Sequence, residues 1–469
     1  MLKNKFHRFW GLVRQSLRDE EYDYTSGSIR AAVVLLAVPM MLEMCLESVF
    51  AVVDIYFVNK MGSHAVSAVG LTEAVISLVY SVAIGISAAA TAMVSRRVGE
   101  KNPQGAARAA AQSMILSGVA IVAMSIPGYI YAADILRIMG ATEEAVEIGV
   151  GYTRLMMGGS ASIVLLFLIN GIFRGAGNAS IAMKSLWLAN GLNILLDPVL
   201  INGLGPIPAM GVTGAAIASV IGRGTGVAYQ LWALFVKTND TLPMRFARWL
   251  PEWSTLRSLG SIAAPATAQF IIQSASWIFL AAIVARSGSE ASAGYQTAIR
   301  LIVFFILPAW GISNAAATLV GQNLGASQPE RAERSVRTIA FYNALFMAFV
   351  TLFFLVFAHP LIRFFNPDVD SPAFAYAVQS LRVISTGYIL YGIGMVYMQA
   401  FNGAGDTRTP TYVSFCGFWL LQIPLAWILA IYAGMGPLGA FLAIPIVEAL
   451  ITIAYWILFK RGKWKLVKV

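Results

Sequence analysis

Charge is scarce in this 469-residue chain, where Asp, Glu, Lys and Arg make up 12% of positions against 58% hydrophobic residues. A soluble domain typically carries about 25% charged residues, so a conventional soluble enzyme is excluded. The net charge of +10 has no soluble domain to display it, which excludes a nucleic-acid patch as well. Cysteine is almost absent. Cys45 and Cys416 both fall in apolar stretches, so neither a disulfide framework nor a thiolate metal site is expected. His7, His64 and His359 are too scattered to form a ligand cluster. The chain also lacks a phosphate-binding glycine loop, a nucleophile triad and a metal motif. No cofactor is therefore expected, an enzyme reading has no support, and active transport would draw on an ion gradient.

What fills the chain is apolar sequence. A spanning helix needs about 20 mainly apolar residues, and twelve segments qualify: near 30–58, 65–95, 106–132, 146–172, 179–201 and 211–236, then 257–285, 292–321, 335–358, 374–401, 409–433 and 437–459. The expected fold is an all-α polytopic membrane protein. Most of the 33 Lys and Arg lie at ends and loops that are cytoplasmic if both termini are inside, which favours that orientation. Residues 1–28 lack the apolar core and cleavage site of a signal peptide. Phe6, Phe9, Trp10, Val13 and Leu17 instead share one face of a short basic helix, expected to lie on the inner leaflet. Pro243 and Pro251 mark 237–256 as a cytoplasmic linker between lobes at 29–236 and 257–460, and 461–469 is a basic tail.

The chain repeats itself. Gly85 to Arg108 aligns without a gap on Gly311 to Arg334, 226 residues later, with ten of twenty-four positions identical. Phe173-Arg-Gly-Ala-Gly177 recurs as Phe401-Asn-Gly-Ala-Gly405, and Met210-Gly211 as Met435-Gly436. Six spans per half make the repeats parallel, about an axis along the membrane normal.

The halves differ where function is expected. Asp54 on span 1 and Asp197 on span 5 sit about a turn below outer loops, and their repeat partners are Leu280 and, within a residue or two, Leu425. Ionisable groups inside a span are costly and usually functional; the alternative is that each Asp caps a helix or pairs with an Arg. Asn193 lies one turn before Asp197 and shares its face, and Thr213 or Ser219 on span 6 offers a hydroxyl. Such an oxygen-rich, acidic site suits a proton or a hard cation such as sodium, held at Asp54, Asp197 and Asn193. Pro39, matched by Pro265, permits a kink and is the candidate hinge beneath Asp54. Glu43 and Glu47, matched by Gln269 and Gln273, extend a polar path or pair with Arg223. Arg223 aligns with Glu448, and with Arg300 these read as pairing within a lobe. Aromatic residues such as Tyr80, Phe167 and Trp310 line a cavity or simply pack.

The twelve-helix chain resembles the multidrug and toxic compound extrusion (MATE) transporters over about 29–460. The resemblance rests on Pro39 to Asp54, Arg174-Gly-Ala-Gly-Asn, Asn193-Ile-Leu-Leu-Asp-Pro198, Gly321-Gln-Asn-Leu-Gly-Ala326 and Gly403-Ala-Gly-Asp-Thr-Arg408. It implies a V-shaped pair of six-helix lobes around a central cavity and alternating access in a prokaryotic inner membrane. In the DinF-like and archaeal branch it implies a coupling site in the N-lobe. The matching positions are Asp54, Tyr152, Asn170, Asn193 and Asp197, with a span-6 hydroxyl. Tyr152 and Asn170 are eighteen residues apart, about 27 Å on one helix, so both reach one site only if span 4 bends strongly. The function expected is a cation-coupled antiporter, proton before sodium, that exports amphipathic, often cationic drugs or metabolites and works as a monomer in the lipid bilayer. A lipid-linked saccharide flippase and a non-transporting sensor or scaffold are the alternatives.

Overall fold

The computed structural model describes residues 2–18, 22–59, 63–237, 240–247 and 249–469, with side chains at all of these except 2–6, 8, 9, 51, 52, 54–59, 63, 64 and 246. A basic helix α1 (Leu2–Ser16) precedes the first lobe. That lobe runs through α2 (Ile29–Asn59), α3 (Ser63–Gly99), α4 (Pro103–Ile130) with the short α5 (Ala132–Ile138), α6 (Glu143–Gly158) with α7 (Ser160–Ala176), α8 (Ala179–Asn202) and α9 (Gly211–Phe235). The second lobe holds α10 (Trp253–Ala285), α11 (Ser289–Gly325), α12 (Pro329–Phe365), α13 (Pro372–Ser385) with α14 (Tyr388–Ala404), α15 (Arg408–Ser414), α16 (Ile423–Trp427) and α17 (Pro437–Lys460). Between α15 and α17 the chain stays helical through π-helical turns at Phe415–Gln422 and Ile428–Tyr432. Among the described residues, nine spans are long and apolar enough to cross a membrane, ten if the α13–α14 pair is one span. With α8 and α9, of 24 and 25 residues, the total is twelve, in two six-helix lobes.

Local chemistry sets the helix ends. Asn102 caps α4 by accepting the Gly105 N–H at 2.8 Å, with Pro103 following at the first helical position, where its missing N–H costs nothing. Thr142 and Asn178 cap α6 and α8 in the same way. Gly177 and Gly405, with φ of 90° and 86°, end α7 and α14 in the left-handed conformation that glycine adopts without strain.

The fourth span of each lobe breaks at a matched glycine. Gly159 separates α6 from α7, and Gly387 separates α13 from α14, where the bend is 53°. Both glycines abut the lobe's sixth span: an added Cβ would lie 2.7 Å from Val220 in one case and 2.8 Å from Pro445 in the other.

The lobes meet across α3 and α11, and the repeated glycines are what bring them together. A Cβ on Gly99 would lie 2.0 Å from the Gln322 carbonyl oxygen, and one on its partner Gly325 would lie 2.1 Å from that of Arg96. Gly85 packs on α10 at Ala263 and Thr267, on either side of Pro265; Gly311 packs on α2 at Met40 and Met41, immediately after Pro39. The internal repeat is thus a record of the lobe–lobe crossing, since only glycine allows two backbones so close.

All these contacts lie in the half of the molecule nearest the chain ends, and the last residues reinforce them. Trp464 is fully buried and stacks on Phe459. Arg96 donates to the Val467 carbonyl at 2.8 Å, Arg97 to that of Val469 at 3.1 Å, and Lys465 pairs with Glu333 at 2.8 Å. Residues 461–469 are therefore a docked strap across both lobes. Sequence marked them only as a basic tail, since neither the burial of Trp464 nor the carbonyl contacts of Arg96 and Arg97 leaves a local signal.

Candidate functional site

α8 and α9 bring three of the predicted oxygens together. Asp197 is fully buried, and Asn193 and Ser219 are nearly so. With the Asn193 amide turned to suit both neighbours, its Nδ2 donates to Asp197 Oδ2 at 2.9 Å. Its oxygen then accepts from Ser219 Oγ at 3.0 Å and from the Ser219 N–H at 2.9 Å. The i, i+4 spacing of Asn193 and Asp197 puts both on the α8 face that meets α9, and Gly222 lets α9 approach: a Cβ there would sit 3.1 Å from that of Asn193. Asp54 lies on α2, which packs along α8; its side chain is outside the described residues.

Of the two hydroxyls left open by sequence, Ser219 is the one bonded to Asn193. Thr213 faces α6 instead, with its Oγ1 2.9 Å from where a Gly151 Cβ would be. Next to Gly151, buried Tyr152 donates its hydroxyl to Glu73 on α3 at 3.0 Å. Glu73 is thereby tied to α6. Arg223 donates to the Tyr80 hydroxyl at 2.7 Å, with Glu73, Glu47 and Tyr152 inside its electrostatic reach.

Asn170 belongs to a different cluster. Its amide donates to Glu43 at 3.1 Å while its oxygen accepts from Ser185 at 3.0 Å and from Gln230 at 2.5 Å. Arg174, one turn on, pairs with the same Glu43 oxygen. α6 and α7 form a single span of 34 residues, so the break at Gly159 does not fold Asn170 back toward Asn193 and Asp197. The pairing of Glu43 with Arg223 is likewise corrected: Arg174 holds Glu43, because it sits on the α7 face that meets α2. Glu47 accepts from Asn190 Nδ2 at 2.7 Å. Arg300 is exposed, and neither it nor Glu448 makes an ion pair among the described residues, so lobe-internal pairing fails for both.

Along α8, against α2, α7 and α9 in turn, these groups form a polar ladder. Glu43 meets Asn170 and, through it, Ser185; Glu47 meets Asn190; Asn193 meets Asp197 and Ser219. Ser185 and Gln230 went unnoticed in sequence because a lone Ser or Gln in a span carries no charge and no spacing signal. Pro39 lies inside α2, where the helix is continuous, at the point that receives Gly311.

The ladder opens on a cavity of about 290 Å³ between the lobes. Glu47, Tyr80, Phe167 and Arg174 line it from the first lobe, and Phe270, Trp310, Asn314 and Gln399 from the second. Phe270 and Trp310 stack with rings 5.3 Å apart. Its size approaches the lower end of small-molecule sites, about 300 Å³, and its mix of apolar walls with a few polar groups matches them as well.

The MatE family model matches residues 39–199 and 265–428, one stretch in each lobe. The chain is similar to the "Probable multidrug resistance protein NorM" of Thermotoga maritima, with 27% identity over 93% of each chain. It is also similar to the "FAD transporter" of Shewanella oneidensis, with 25% identity over 94% of this chain and 97% of that one. A solved structure described as the outward-facing conformation of a multidrug resistance MATE family transporter superposes with a TM-score of 0.88 at 26% identity, covering 95% of this chain and 98% of its own. Two repeated six-helix lobes, a shared cavity and a family match that spans both lobes lead to one conclusion: the chain belongs to the MatE family of multi-pass membrane transporters.

Proposed function

We propose that this transporter is a cation-coupled antiporter that exports amphipathic, often cationic molecules by alternating access, with its coupling site at Asp54, Asp197, Asn193 and Ser219. The observation that carries the proposal is the fully buried Asp197 carboxylate bridged by Asn193 to Ser219, on the lobe whose repeat partner has no acid there. A carboxylate away from water has to be neutralised by a cation or by protonation. Binding one therefore changes the charge of the lobe interior rather than that of its surface.

The ladder supplies a route from that charge to the cargo. α2 carries Asp54, Glu47 and Glu43, and Glu47 stands in the cavity wall. Neutralising the site removes the repulsion between Asp54 on α2 and Asp197 on α8, so that α2 bends at Pro39, the Met40 contact with Gly311 shifts, and the lobes part on one side of the membrane. A ligand moves such an equilibrium only by its differential affinity for the two states. An inward cation gradient drives export because the cation arrives from the side on which cargo leaves. In this proposal both termini lie in the cytoplasm, as the Lys and Arg distribution favours, and the proton is the preferred ion.

The test is efflux of a cationic dye from proteoliposomes under separate proton and sodium gradients, with Asp54→Asn in parallel. Transport on one gradient, absent in the variant, names the ion. Absence of transport on both by folded protein would contradict the antiporter reading and favour lipid-linked cargo.

A further inference from the structure

The first helix and the segment after it have no part in the mechanism above. α1 carries Lys3, Lys5, Arg8 and Arg14 and no acid, and Arg18 follows it. One side of the helix is committed to the protein. Ser16 is buried, Leu12 packs on the core that both lobes share, and the Leu17 carbonyl accepts from Ser180 Oγ of α8 at 3.0 Å. The opposite side is open: Trp10 is 50% exposed, and Gly11, Arg14 and Arg18 are exposed with it. Half-buried Val13 and Leu17 continue the apolar edge that starts at Trp10.

Residues 22–28 then cross from one lobe to the other. On the first lobe, buried Tyr24 donates its hydroxyl to the Gly177 carbonyl at 3.0 Å, and Asp23 pairs with Lys101 at 3.0 Å. On the second, Arg331 of α12 donates to the carbonyls of Tyr24 at 3.1 Å, Ser26 at 2.6 Å and Gly27 at 3.0 Å. The repeat position matched to Arg331 is Gly105, so one lobe alone carries this grip. Tyr22 joins α1 to the segment: it donates to the Gln15 carbonyl at 3.3 Å, and its ring centre lies 6.1 Å from that of Tyr24. Tyr22, Asp23 and Thr25 also wall a cavity of about 340 Å³ that reaches Gln322, whose carbonyl oxygen meets Gly99 at the lobe crossing. The lobes cannot part at this end while these bonds hold.

Charge and position identify what covers the open side of α1. The helix packs on α2 and, through Ser180, on the first turn of α8, so it lies where spans end and lipid headgroups begin. Basic side chains beside a tryptophan and an apolar edge are the composition that binds an anionic membrane surface. In sequence, Asp19, Glu20 and Glu21 close the basic stretch, which confines that attraction to α1. We propose that α1 seats on anionic phospholipid at the face of the chain ends and thereby holds residues 22–28 as a latch that keeps the lobes joined there. The latch involves neither the coupling site nor the choice of ion.

Fluorescence of the full chain in lipid nanodiscs tests the docking without any transport assay. Gly11→Cys, where a Cβ meets nothing within 4 Å, carries an environment-sensitive fluorophore in a background without Cys45 and Cys416. Emission should shift to the blue in discs that contain phosphatidylglycerol and not in phosphatidylcholine alone. Arg14→Glu should abolish the shift, since each charge is worth about fivefold in binding to an anionic surface. The latch is read separately in the same cysteine background. Ser95→Cys, buried against Gly321 at the lobe crossing, should react with an impermeant thiol reagent more slowly in discs with phosphatidylglycerol. Arg331→Gln should remove that difference and leave the Gly11→Cys shift intact. Equal emission in both lipids would overturn the docking, as would a shift that survives Arg14→Glu, which would assign the face to protein, whether a second copy or the chain itself. Equal Ser95→Cys reactivity in both lipids would overturn the latch.

Discussion

At the scale of single residues, the hydroxyl bonded to Asn193 separates two positions that sequence could not. Ser219→Ala removes an acceptor and donor from the proposed coupling site and should weaken coupling-ion affinity about fivefold, the roughly 1 kcal/mol of one hydrogen bond. Thr213→Ala should leave it unchanged; titrating ion-dependent dye efflux in both variants checks this. The ladder makes a second distinction. Glu43 is 1% exposed and holds Arg174, so Glu43→Gln leaves a buried guanidinium without its counter-charge, a loss of about 3 kcal/mol. Glu47 borders the cavity and meets a neutral Asn190, so Glu47→Gln should cost far less. Thermal unfolding of the two variants in detergent should show a large drop for the first only. Sequence located Asp197 and Asn193 because a charge and an i+4 amide in an apolar run stand out. It left open whether Asn170 reaches the site, because the partner Glu43 is 127 residues away and leaves no trace in local spacing.

At the scale of elements, the repeat was legible and its meaning was not. Identical glycines at Gly85 and Gly311, and at Gly99 and Gly325, announced two related halves. Only the packing shows that each lies on the other lobe's backbone. The breaks at Gly159 and Gly387 and the π-helical turns escaped sequence reading, because neither a lone glycine nor a local change of helical period leaves a mark in a mostly apolar span. The account predicts that Gly311→Ala wedges α11 from α2, since the new Cβ would meet the Met40 carbonyl oxygen at 2.3 Å. In a background without Cys45 and Cys416, a Ser95→Cys reporter, buried against Gly321, should become reactive to a membrane-impermeant thiol reagent only when Gly311→Ala is present. Equal protection with and without the wedge would show that this contact does not hold the lobes together.

At the scale of the whole molecule, asymmetry within a symmetric frame carries the functional reading. The two lobes share their spans, breaks and crossing glycines, yet acids at the coupling depth occur in one, and the terminal strap ties α3 of that lobe to the other through Arg96 and Arg97. Composition alone established the membrane class, and the twelve spans followed from segment length. Shortening the chain after Arg461 should therefore destabilise the closed terminal face, read as faster labelling of the same Ser95→Cys reporter. The central claim is that Asp197 couples ion to cargo rather than merely supporting the fold. The direct measurement compares gradient-driven efflux with gradient-free substrate counterflow in proteoliposomes carrying Asp197→Asn. The account predicts that counterflow survives near the wild-type rate while gradient-driven efflux falls to background. Gradient-driven efflux at the wild-type rate in that variant would contradict it.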